Sequence, residues 1–394
     1  MKKLFGLISL LVSLFSSAQT ATEPTTDSCQ LTISLLTCTP GEELYSSFGH
    51  SAIRVTDDNA GTDIVFNYGT FDFNDPGFYK KFVQGKLLYF VSIDELNNFL
   101  AEYDYFKRGV TEQVLNLSCE QKQKLVAALF ENAKEENKYY RYDFNYDNCT
   151  TRLRDMIEKV TGSPLQTTNI LPGKNTTFRN LIHDYLEKGG QYWSQLGIDI
   201  LLGSPLDKKI DNREAMFLPD YLLMAFDSAA SGNKKLVTEK NSLLPAAVNR
   251  NDESFFTPVL VFAFLFLLVT ALSLLKQHSY PVFFKLFDFC FFLILGLLGI
   301  LLVFMWVGTE HAMCRNNFNL LWALPTHAVA AFFLFSKKEW VAFYFRFIFF
   351  YSLILLGAWF MLPQQLNTAL IPVLGIIIVR SHFISKKATE TQKH

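Results

Sequence analysis

Tyr139-Tyr140-Arg141-Tyr142-Asp143-Phe144-Asn145-Tyr146-Asp147-Asn148-Cys149-Thr150-Thr151-Arg152 is the stretch on which the fold turns. Its first eight residues alternate enough to form a strand. Asp147 or Asn148 then offers a natural N-cap for a helix over residues 150–160. The segment therefore reads as a strand running into a helix, with Cys149 in the first helical turn. There the positive end of the helix dipole and the free N–H groups favour a thiolate, and an adjacent imidazole would lower the thiol pKa further. The same N–H groups suit the oxyanion that forms when a thiolate attacks a carbonyl.

A base for that thiol lies upstream. After a turn-rich stretch at residues 41–49, His50, Ala52 and Arg54 alternate with Ser51, Ile53 and Val55, which is strand periodicity. Residues 57–61 form a turn signal, and residues 63–68 are a second run of β-formers. A hairpin centred near Asp58-Asn59 places His50 opposite Asn67 and Arg54 opposite Asp63. The imidazole then has an amide beside it, with Tyr68 as an alternative third group. Arg54 reads first as a cross-strand ion pair and second as a phosphate contact. With Tyr68 and Asn148 it completes the candidate substrate contacts in this half. Helical patterns follow at residues 93–106 and 119–133. His183, in a helical run at residues 178–186, has no partner signal and reads as structural.

The rest of the chain places this chemistry beside a bilayer. Lys2 and Lys3 precede an apolar run, and Ser16-Ser17-Ala18 offers small residues for a signal peptidase, so residues 1–18 read as a signal peptide. Residues 19–252 read as an exported globular domain. Residues 255–275, 286–307, 318–335, 340–362 and 366–379 are five apolar stretches of spanning length, the last short. Lys276 and Lys285, Lys337 and Lys338, and Arg380, Lys386 and Lys387 mark the cytoplasmic side. Connectors 308–317 and 361–367 then lie outside, and residues 381–394 form a cytoplasmic tail. Glu310, His311, Asn319 and His327 are polar groups near membrane depth. They read either as a lipid headgroup site or as ties between helices.

Thirty-six basic and thirty-seven acidic side chains give a net charge of −1. Without a basic run between structured segments, nucleic acid is excluded as a partner. Of the six cysteines, Cys29, Cys38, Cys119 and Cys149 fall in the exported domain. Cys29 and Cys38 are candidates for a disulfide there, although spacing does not determine the pairing. Cys and His show no metal-ligand spacing, no Gly-rich phosphate loop appears, and no cofactor is expected.

A cysteine at a helix N-terminus, a histidine on a strand and a polar third residue on the next strand resemble the papain-like arrangement. The order His then Cys resembles its permuted version, the lecithin:retinol acyltransferase-like branch of the NlpC/P60 group. A fuller likeness runs through Thr37-Cys38-Thr39-Pro40-Gly41-Glu42-Glu43-Leu44-Tyr45-Ser46-Ser47-Phe48-Gly49-His50-Ser51-Ala52-Ile53-Arg54, Phe66-Asn67-Tyr68-Gly69-Thr70-Phe71-Asp72-Phe73 and residues 142–152. These strings look like the periplasmic domain of the Lnb-type lipoprotein N-acyltransferases. Glu310-His311 and residues 317–327 resemble that family's transmembrane domain.

The resemblance implies an α+β fold: a permuted papain-like (NlpC/P60-like) extracytoplasmic domain at residues 19–252, then an α-helical membrane bundle of about five spans at residues 253–380. It implies an enzyme of the bacterial inner membrane with its catalytic domain in the periplasm. A membrane phospholipid would donate an acyl chain through a Cys149 thioester to the α-amino group of a diacylglyceryl lipoprotein, with His50 as base and Asn67 as its orienting partner. Two other classes suit parts of the pattern: a membrane-anchored cell-wall amidase or peptidase of NlpC/P60 type, and a non-enzymatic lipid-binding protein. Five spans beside the site argue against the wall enzyme, for which one anchor suffices.

Overall fold

The computed structural model describes residues 29–231, 234–246, 255–276, 281–336 and 338–391. The expected signal peptide, the junction between the halves at 247–254 and Lys337 lie outside them.

Antiparallel strands β1 (Leu31–Cys38), β2 (His50–Asp57), β3 (Thr62–Thr70), β4 (Leu88–Glu95), β5 (Val110–Leu115), β6 (Tyr139–Arg141) and β9 (Val237–Leu244) make a sheet in the order β6-β4-β3-β2-β1-β5-β9. Two-residue strands β7 (Ala230–Ser231) and β8 (Lys234–Lys235) pair separately. Helices α1 (Phe78–Gln84), α2 (Leu96–Tyr105), α3 (Cys119–Ala133), α4 (Cys149–Thr161), α5 (Phe178–Lys188), α6 (Tyr192–Leu201), α7 (Asn212–Ala215) and α8 (Pro219–Ser228) complete this half. Alternation along β1 to β3 gives the sheet two apolar faces. Ile33, Leu35, Ile53 and Phe66 meet Leu125 and Leu129 of α3, Leu153 and Ile157 of α4 and Leu222 of α8. Leu36, Ala52 and Val65 meet Phe99 and Tyr103 of α2 on the other face. Burying each such side chain contributes about 1.5–3 kcal/mol, so α4 is held firmly against the central strands.

The hairpin differs from the expected register. The ladder pairs Arg54 with Val65 and Thr56 with Asp63, two residues from the reading above. A shift of two preserves the faces of both strands, since side chains alternate with period two. Arg54 therefore still reaches Asp63 diagonally (Nε to Oδ1 2.8 Å, Nη2 to Oδ2 2.6 Å), and His50 still reaches Asn67. The expected strand at 139–146 stops at Arg141, because the Asp143 carboxylate accepts from the N–H groups of Asn145 and Tyr146 and turns the chain. The disulfide joins Cys29 to Cys119, not to Cys38. Cys38 ends β1, buried opposite His50.

Helices α9 (Pro258–Lys276), α10 (Pro281–Val307), α11 (Thr326–Phe333), α12 (Glu339–Ala358) and α13 (Leu370–Thr391) form the second half. Among the described residues, three helices are long and apolar enough to cross a membrane, over Pro258–Leu275, Val282–Val307 and Glu339–Met361. The stretch at 318–335, expected as one span, is instead a 3-10 turn (Phe318–Leu321) followed by the short α11. It lies along α10: Phe289 meets Phe332 and Phe335 at 5.5 and 5.8 Å, and a β-carbon on Gly299 would overlap the Ala323 carbonyl oxygen. Irregular backbone at membrane depth is tolerated in this way, buried against protein. The last expected stretch, 366–379, becomes helical at Leu370, and α13 runs on to Thr391 without a break at the expected tail. Arg380, read as a tail charge, is buried and donates to both Asp288 oxygens (2.7 and 2.8 Å) and to Ser273, tying α13 to α10 and α9.

The two halves are docked. Asn317 and Asn319 donate to the carbonyls of Ile200 and Asp199 at 2.8 Å each, Gln364 donates to Leu202 O at 3.0 Å, and Leu196 packs among the bundle's apolar side chains. Both connectors expected outside thus touch the sheet domain.

Candidate active site

The residues 147–152 divide the work of building one helix end. The Asp147 carboxylate holds Arg152 (Nε to Oδ1 2.6 Å), whose guanidinium lies 3.5 Å over the Tyr140 ring. Asn148 is the N-cap: its Oδ1 accepts from Thr150 N and Thr151 N, while its amide donates to the carbonyls of Phe144 and Phe217 at 2.8 Å each. The Thr151 hydroxyl returns to accept from Asn148 N, closing a capping box. Cys149 is left as the first residue of α4, almost buried, with Thr150 Oγ1 3.6 Å from its sulfur and itself 3.3 Å from Ser51 Oγ.

His50 begins β2 beside this helix end. Its Nε2 lies 2.5 Å from Asn67 Oδ1 on β3, which leaves Nδ1 for the thiol. Since an amide oxygen can only accept, Nε2 carries the proton. Burial alone would push the Cys149 thiol up. The charge and hydrogen bond of His50, the Ser51 N–H and the Thr150 hydroxyl outweigh it and bring the thiol from 9.0 down to about 7. Burial likewise opposes protonation of His50, but the Cys149 charge and the hydrogen bonds to Cys149 and Asn67 raise it above 6.5. These opposed shifts are those of a thiolate–imidazolium pair. Cys38 shows the contrast: burial pushes it up to about 12, against weaker opposition from Tyr103 and Arg108.

Gly69, with φ of +91°, completes the surround. A β-carbon there would stand 3.5 Å from the Tyr142 ring and 3.7 Å from Cys149 Cβ, filling the space between them. Next to Tyr142 is a cavity of about 270 Å³, lined on the domain side by Leu44, Phe48, Phe144 and Asn145 and on the bundle side by residues 310–313.

Cys149, His50 and Asn67 are thus together. The other candidates stand apart from the thiol. Arg54 is held between Asp63 and Glu112 (Nη1 to Oε1 2.7 Å). Tyr68 is buried, its hydroxyl accepting from Asn132 and facing Met156 sulfur. Glu310 pairs with Arg141 and Lys86 and lines the cavity with His311, whose Nε2 lies 3.0 Å from Phe82 O. Asn319 is tied to α6. His327 lies buried between Trp322 O and the Tyr344 hydroxyl. Sequence reading missed Asp199, which accepts from Arg179 (2.5 Å), His183 (2.8 Å) and Asn367 (2.8 Å), giving His183 a partner after all. It also missed Asp288, whose signal was a carboxylate inside an apolar helix. Among the described residues no group of three or more His, Cys, Asp or Glu is placed to hold a metal ion.

Residues 18–184 match the family model of the Lnb N-terminal periplasmic domain, and residues 250–392 match that of the Lnb transmembrane domain. No curated protein and no solved structure matches the chain.

Proposed function

The chain belongs to the Lnb family and is a membrane protein with a periplasmic domain, and on that premise we propose that it is a cysteine-dependent lipoprotein N-acyltransferase of the inner membrane. The observation that carries this reading is the Cys149 thiol at a helix N-terminus, lowered to about 7 by a histidine that an amide orients, near Tyr142, a ring that also lines a cavity whose far wall is the membrane half. An activated thiolate performs acyl transfer, and a cavity bordered by a membrane connector favours a lipid ester over a wall peptide.

In this scheme the Cys149 thiolate attacks the ester carbonyl of a phospholipid. The Cys149 N–H is the donor for the oxyanion, because Asn148 occupies the N–H groups of Thr150 and Thr151. When the C–O bond breaks, His50 gives its proton to the departing alkoxide, and a lysophospholipid leaves behind a Cys149 thioester and a neutral imidazole. The α-amine of a diacylglyceryl cysteine then attacks the thioester. His50 takes a proton from the nitrogen as the C–S bond breaks, which restores the thiolate–imidazolium pair and releases the amide. Asn67 holds the imidazole tautomer throughout. Arg54, Tyr68 and Asn148 support the site from behind, and Glu310 and His311 shape the cavity wall.

The test is the mass of a lipoprotein N-terminal peptide from cells with and without this protein. One additional acyl chain on the α-amine only when the protein is present supports the proposal. An unchanged lipopeptide with altered wall peptides would point to the amidase.

A further inference from the structure

Helix α1 exposes apolar side chains where a soluble surface would not. Tyr79 is 77 % exposed, Phe82 50 %, and Phe73 just before the helix 62 %. The helix is fixed to the bundle where the chain leaves the membrane. Glu310 N donates to Gln84 O at 3.0 Å, His311 Nε2 lies 3.0 Å from Phe82 O, and α10 ends at Val307. Three residues of chain reach at most about 10 Å, so the end of α1 sits within about that distance of the helix end. That is the headgroup layer, where aromatic rings favour the boundary between water and hydrocarbon. Lys80 and Lys86 stand exposed on the same segment, and Lys86 reaches Glu310 at 3.7 Å.

Behind α1 the rings continue inward. Phe73 and Phe71 are 4.9 Å apart, Phe71 and Tyr89 5.5 Å, and Tyr89 stacks on Tyr142 at 4.4 Å. Tyr142 borders the space that Gly69 keeps open before Cys149. The row is continuous from an exposed membrane-level face to the thiol.

We infer that α1 inserts into the outer leaflet and that the aromatic row from Phe73 to Tyr142 is the binding surface along which a phospholipid acyl chain leaves the bilayer for Cys149. This rests on the acyl-transfer reading for its destination, though not for the contact between α1 and lipid. The occupant is an acyl chain, since the row is made of aromatic rings throughout and the end fixed to the membrane is its exposed end.

The test uses the full chain in phosphatidylethanolamine vesicles doped with a phospholipid that carries a diazirine on its acyl chain. Irradiation and peptide mapping should find label on residues 73–89 as well as on the bundle helices. Label confined to the bundle, with residues 73–89 clean, overturns the inference. Because labelling needs no turnover, it separates this inference from the acyl-transfer reading, which fails if wild-type protein never forms a Cys149 thioester. In a second arm, Tyr79→Ser combined with Phe82→Ser should slow Cys149 thioester formation from vesicles by about ten-fold or more, while the iodoacetamide reaction of the thiol keeps its wild-type rate. Equal rates from vesicles for variant and wild type would equally overturn the inference.

Discussion

His50 and His183 both point a ring nitrogen at a side-chain oxygen, yet they do opposite things. His50 faces the neutral Asn67, which fixes a tautomer without adding charge and leaves the other nitrogen to exchange a proton with Cys149. His183 faces Asp199, a fully buried carboxylate already held by Arg179 and Asn367, and that cluster fastens α5 and α6 to the bundle. The two histidines thus differ in their partner: a neutral amide beside a thiol for His50, and a buried carboxylate shared with an arginine and an asparagine for His183.

The comparison breaks first at the thiol. Cys149→Ser should leave the fold intact and lower activity by about 10³-fold or more, because the hydroxyl stays protonated where a thiol ionises. Purified variant protein assayed at neutral pH decides this, and near wild-type turnover would remove the nucleophile from the account. On the structural side, Asp199→Ala should destabilise the docked halves by about 3 kcal/mol, since Arg179 loses one buried carboxylate and keeps Asp207 as its one ion-pair partner, with the Gly203 carbonyl beside it. Thermal unfolding in detergent together with limited proteolysis near residue 203 would register it, and an unchanged midpoint would show that the cluster does not fasten the halves. Asn67→Ala should slow turnover by about ten-fold or more with little loss of stability, the pattern of a positioning residue. Asn67→Asp, which also accepts from Nε2, should recover part of the rate and raise the pH at which His50 releases its proton.

A pH profile sharpens the contrast between the cysteines. Cys149 is lowered from 9.0 to about 7, so its alkylation should rise as pH increases through about 7 and level off above that. Cys38, pushed up to about 12, should stay unreactive across the same range. A Cys149 midpoint near 9 would mean that His50 does not share its proton. The smallest effect belongs to Glu310→Gln, which loosens a half-exposed contact with Arg141 and Lys86 and should change stability by about 1 kcal/mol or less.

Local chemistry made the site legible before the structure. An N-cap asparagine before Cys149 predicts the helix start to within a residue, and strand alternation puts His50 and Asn67 on one face even with the register two residues off. Non-local pairing was not legible: β1, β4, β5 and β9 complete the sheet through partners far along the chain, and nothing in the spacing of Cys29 points to Cys119. In the membrane half, hydropathy marks apolar length but not continuity. It therefore read 318–335 as one helix, where Asn317, Asn319 and Pro325 favour turns and the domain above supplies carbonyls for the asparagines. Arg380 differs for a related reason: a charge count assumes exposure, whereas Asp288 and Ser273, near the same helix ends as Lys276 and Lys285, hold the guanidinium inside protein.

The central claim is that Cys149 carries the acyl chain. Full-length protein incubated with phospholipid vesicles in the absence of any lipoprotein, then analysed by intact and peptide mass, tests it most directly. The account predicts a hydroxylamine-labile gain of one acyl chain on the peptide bearing Cys149, absent from Cys149→Ser. An unmodified Cys149 peptide, or an acyl adduct on any other residue that survives the Cys149→Ser change, would contradict it.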